Sequence, residues 1–94
     1  MAIKGLDEMM RKLKELEKAT AALDGDIANV AFNPHDPQSI EIAIQQMETA
    51  IDERVSGYRN NDMVEGLVEE MKERYRQAIL ERAASARIDG ESGS

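Results

Sequence analysis

Apolar residues recur along most of this chain at steps of three and four, and the pattern stops only where glycine or proline interrupts it. Gly25, Pro34, Pro37 and Gly57 are the interruptions. That spacing lines one face of an α-helix. The expected fold is therefore all-α: a three-helix bundle with a C-terminal antiparallel helical hairpin and a long irregular connection after the first helix.

The first helix is expected from Leu6 to Leu23. Leu6, Met9, Leu13, Leu16, Thr20 and Leu23 fall on one face, widened by Met10 and Ala19. Gly25 suits the position after its end, where a left-handed backbone costs glycine nothing. The second helix is expected from Pro37 to about Ser56, with Asp36 as its N-cap, Pro37 as its first residue and Gly57 ending it. Its stripe is Ile40, Ile44, Met47, Ile51 and Val55, with Ala43 and Ala50 beside it. The third helix is expected to start with Asp62 as N-cap, with Glu65 three residues on, and to run to about Ile88. Val64, Leu67, Val68, Met71, Tyr75, Ala78, Ile79, Arg82 and Ala83 trace its seam, and residues 91–94 read as a polar tail. The short turn around Gly57 to Asn61 makes the last two helices antiparallel neighbours. Between Asp24 and Asp36 two readings stay open, a short strand over Ala28 to Phe32 or an extension of the first helix's seam.

With 94 residues the chain makes one domain, taken as residues 1–90. Only Phe32, Tyr58 and Tyr75 are aromatic, so the core is aliphatic, with six methionines to fill its gaps. So small a core gains from self-association, which buries more apolar surface. The formal charge of -7 is unevenly spread. Residues 1–23 carry five bases and four acids, residues 24–58 one and seven, and residues 59–94 six and eight, which gives +1, -6 and -2. Such a surface repels phosphate backbones, so no nucleic-acid partner is expected. No stretch approaches the ~20 apolar residues of a membrane span. The opening Met1-Ala2-Ile3-Lys4-Gly5 has no secretory core, and a cytoplasmic location is expected.

Residues that could carry chemistry are few. Absence of cysteine removes disulfides and thiolate metal sites. His35 is the single histidine, and Asp24-Gly25-Asp26 lacks the ligand spacing of a calcium loop. No nucleophile has a base partner in sequence, and no glycine-rich phosphate loop opens a helix. Lys72-Glu73-Arg74-Tyr75-Arg76 mixes bases with an aromatic, but the neighbouring Glu69 and Glu70 cancel its field. The expectation is a non-enzymatic protein with no cofactor, metal or small-molecule substrate, acting on protein partners or on copies of itself. Candidate contact residues are Met10, Phe32, His35, Leu80 and Ile88. Set beside this is an acidic helical regulator, antitoxin-like or chaperone-like, that masks a basic partner.

The opening Ile3-Lys4-Gly5-Leu6-Asp7-Glu8, with Lys12-Leu13-Lys14 and Leu16, resembles the start of small tailed-phage proteins of the head–tail joint and of tail completion. The resemblance implies a prophage-type structural protein, incorporated into a virion. Members of that family continue into a strand-bearing half where this chain continues into two helices, so no residue roles carry over. The chain is also similar in length and charge to small acidic helical hairpins exported by specialised secretion. Those place a Trp-x-Gly motif where this chain has Ser56-Gly57-Tyr58.

Overall fold

The computed structural model describes the backbone of residues 3–24, 30–58 and 60–92, and the side chains of residues 5–24, 30–58 and 60–88. It contains three α-helices, α1 (Ile3–Leu23), α2 (Pro37–Arg54) and α3 (Asp62–Ser92), with a 3₁₀ turn at Ser56–Tyr58. No strand occurs among the described residues, and Val30 to Phe32 is irregular. The readings placed on Gly25, Asp26 and Ala28 lie outside the described residues.

The α2–α3 hairpin follows from its two stripes. Ile40, Ala43, Ile44, Met47, Ile51 and Val55 from one side meet Val64, Val68, Ile79 and Ala83 from the other, all buried. Leu67, Met71, Tyr75 and Ala50 pack at the margin of this core, whereas Ala78 and Arg82, expected in the seam, are exposed. Asp36 starts α2 as its cap, with its Oδ1 accepting from the Gln38 N–H at 3.0 Å and Pro37 following.

Besides α1, which begins at Ile3 rather than Leu6, two helix ends differ from the sequence reading. First, α2 stops at Arg54, and Val55 turns the chain into the 3₁₀ segment rather than Gly57 ending the helix. Val55 is fully buried, so its side chain anchors the turn to the core and draws the backbone out of the α-helix two residues early. Secondly, α3 does not end near Ile88 but continues to Ser92. At 31 residues it is about 46 Å long.

The helix α1 lies beside this hairpin and runs in the same direction as α3. Lys12 stands level with Asn61 and Asp62, and Thr20 to Asp24 reach Met71 and Tyr75. Its buried positions are Ala19 and Leu23, with Lys12, Glu15, Leu16 and Ala22 half-buried. The first turns of α1 therefore run on past the hairpin turn, and residues 5–11 are all exposed. The far end of α3 overhangs at the opposite end, and the molecule is a rod of 70 × 19 × 18 Å.

Candidate functional site

Two features of α1 stand out, a polar junction that fixes it to the hairpin and an apolar stripe that the hairpin leaves uncovered. The junction centres on Asn61, the one buried polar residue among the described side chains. Its Oδ1 accepts from the backbone N–H groups of Met63 (2.9 Å) and Val64 (3.4 Å), which makes Asn61, and not Asp62, the N-cap of α3. Its Nδ2 donates to the Lys12 carbonyl at 2.9 Å and to Glu15 Oε1 at 3.0 Å. A single side chain thus both starts α3 and holds the middle of α1 against it. Nearby, Arg11 secures Glu15 from the solvent side at 3.1 Å.

Asp62, freed from capping, pairs with Lys12 at 2.8 Å. The hydrogen bond from Lys12 holds the Asp62 carboxyl below its ordinary range, and the same bond holds the Lys12 ammonium above its own. Each charged form is the one the fold favours, so the signs run in opposite senses. The Asp62 contribution is complete at neutral pH and is lost as pH falls through its depressed value, below about pH 4. The Lys12 contribution is lost as pH rises through its elevated value, above about pH 10.5. Asp62 is 77% exposed, so water and salt screen the pair. Melting temperatures of the native protein and Asp62→Asn are expected to differ at pH 7 and to converge below pH 4.

The stripe is formed by Leu6, Met9, Met10 and Leu13, which are 56%, 52%, 54% and 46% exposed. At 100° per residue it points about a third of a turn away from the Lys12–Leu16–Ala19–Leu23 side that meets the hairpin. The sequence reading assigned Leu6, Met9, Leu13, Leu16, Thr20 and Leu23 to one common face. The structure divides that face, because α1 meets α3 only from Lys12 onward and is rotated to bring Asn61 against its backbone. Thr20 is exposed, with its hydroxyl donating to the Leu16 carbonyl at 2.8 Å.

The five candidate contact residues are not brought together. Met10 lies at one end of the rod. Phe32 is half-buried against the core, with the Arg82 guanidinium 5.1 Å from its ring centre. His35 is exposed in the turn before α2, where its N–H donates to Asn33 Oδ1 at 3.0 Å. Leu80 is 39% exposed beside the buried Ile79, and Ile88 is 63% exposed five residues past the buried Ala83. Sequence reading missed Asn61, because Asn60, Asn61 and Asp62 are all good capping residues and spacing alone does not choose among them. Among the described residues no group of three or more metal-ligating side chains converges. No helix among them is long and apolar enough to cross a membrane.

These features define a class, the small acidic three-helix proteins whose first helix is pinned by a polar junction and carries an open apolar stripe. The chain belongs to the YuaX family, whose pattern it matches over residues 3–90. It is 50% identical over 92 residues to the uncharacterized protein YuaX of Escherichia coli (strain K12), covering 97% of this chain and 95% of that protein. No solved structure is significantly similar to it.

Proposed function

We propose that this protein works by contact rather than catalysis, as a non-enzymatic assembly protein whose helix faces join it to others in an oligomer. The observation that carries this reading is the stripe of Leu6, Met9, Met10 and Leu13, four large apolar side chains left about half exposed on one side of one helix. Contiguous apolar surface of this kind marks a contact site when it is not scattered. The thin aliphatic core gains from the added burial. A place in virion assembly is the narrower form of the reading, and it rests on the Ile3 to Leu16 resemblance alone.

The test is absolute mass by light scattering after size exclusion, over a hundredfold range of concentration. A mass that rises to a closed multiple of the 10.5 kDa chain supports the reading. A monomer at every concentration overturns it.

A further inference from the structure

We infer that the apolar stripe of α1 is covered by the same stripe of a second copy, with the two α1 helices antiparallel. This inference rests on the proposed assembly role and names the partner and its orientation.

Asp7 and Lys14 lie seven residues apart on the same side of α1, with Met10 between them. Among the described residues neither makes an ion pair, although Arg11 and Glu15 pair with each other beside them. The pattern fits a heptad in which Met10 is at a, Leu6 and Leu13 at d, and Asp7 and Lys14 at e. In an antiparallel pair, a packs against d of the other helix and e faces e. Setting Met10 against Leu13 of the second copy then brings Asp7 opposite its Lys14, and the two-fold axis repeats the pair. On the other flank Met9 comes opposite Leu16.

Charge selects this register over its neighbours. A slip of one heptad sets Asp7 against Asp7 in one direction and Lys14 against Lys14 in the other. A parallel pair sets these e positions against g positions occupied by Met9 and Leu16, which supply no charge. Net charge also selects this helix. Two chains of -7 repel, but residues 1–23 sum to +1, so the chains approach most easily along α1.

Eight half-exposed side chains bury at most roughly 800 Å² in all, below the range of stable specific interfaces and within that of weak, transient ones. The dimer is therefore weak and concentration-dependent, which sets the conditions of the test.

The experiment measures self-association by sedimentation up to millimolar chain for the native protein, Asp7→Lys, Lys14→Asp, their equimolar mixture and the double variant, with helicity checked by circular dichroism. Each single variant opposes like charges twice and is expected to weaken association roughly tenfold. The mixture pairs Lys with Asp and Asp with Lys, so association returns. In the double variant both pairs are reversed but complementary, and association returns again. Native association with no rescue in either case, or with single variants that associate like the native chain, overturns the antiparallel α1 pairing and leaves the assembly reading to another face. A native chain that stays monomeric throughout overturns both.

Discussion

Ile51→Ala is expected to destabilise the protein by about 3 kcal/mol, the usual cost of a cavity where a buried isoleucine stood. Ile51 is fully buried in the last turn of α2, within one cluster with Met47, Val55, Val64 and Val68. The lost methyl groups forfeit their transfer energy, and helices held close to this point by the Ser56–Tyr58 turn and by Asn61 have little freedom to close the gap. In a domain of this size each kcal/mol moves the melting temperature by roughly 4–8 °C, so a fall of about 15 °C is expected. The measurement is a thermal melt at fixed chain concentration, because self-association itself raises the apparent stability. Ile42→Ala is the control. Ile42 is 48% exposed on the same helix, and its loss is expected to change stability by no more than about 0.5 kcal/mol. Equal effects at the two positions would mean that Ile51 does not face α3 as the buried cluster requires.

Asn61→Ala is expected to cost about 2–3 kcal/mol, combining a lost N-cap with buried hydrogen bonds that find no replacement. Serine separates the two roles. Its hydroxyl still caps α3, but it cannot reach the Lys12 carbonyl or Glu15 on α1. Asn61→Ser should therefore keep the hairpin while loosening α1. Hydrogen exchange resolves this, with amides of α1 around Glu15 to Leu23 losing protection and those of α3 around Val68 keeping it. Uniform loss across all three helices would instead make Asn61 a cap only. Asn61→Asp is expected to be worse than serine at neutral pH, since it sets a second carboxylate beside Glu15.

How far these features were legible varies along the chain. The α2 stripe from Ile40 to Val55 was readable almost residue for residue, because both helices of a hairpin bury the face that periodicity marks. Asp36-Pro37 was equally clear, since the Asp-Pro order has one low-energy use at a helix start. The ends of α2 and α3 were less so. Burial of Val55 overrode the glycine signal at Gly57, and nothing in Asp89 to Ser92 forbids a helix already growing. The α1 face was the least legible. Steps of three and four were read as one side, yet seventeen residues at about 100° each set Leu6 and Leu23 over a quarter of a turn apart, and spacing does not say which of them a neighbour reaches.

What the sequence alone determined is the number of helices, their class and the hairpin, because these depend on local periodicity and on short turns. What only the tertiary structure decided is the rotation and offset of α1. That helix is joined to α2 by a long connection which sets no register, so its placement falls to contacts between distant residues: Asn61 with Lys12 and Glu15, Lys12 with Asp62, Arg54 with the Ala22 carbonyl, and Ala19 and Leu23 in the core. The same contacts determine which apolar side chains of α1 are buried and leave Leu6, Met9, Met10 and Leu13 facing outward. A seam read from spacing says which residues lie on one face. Whether that face is core or contact surface depends on what packs against it.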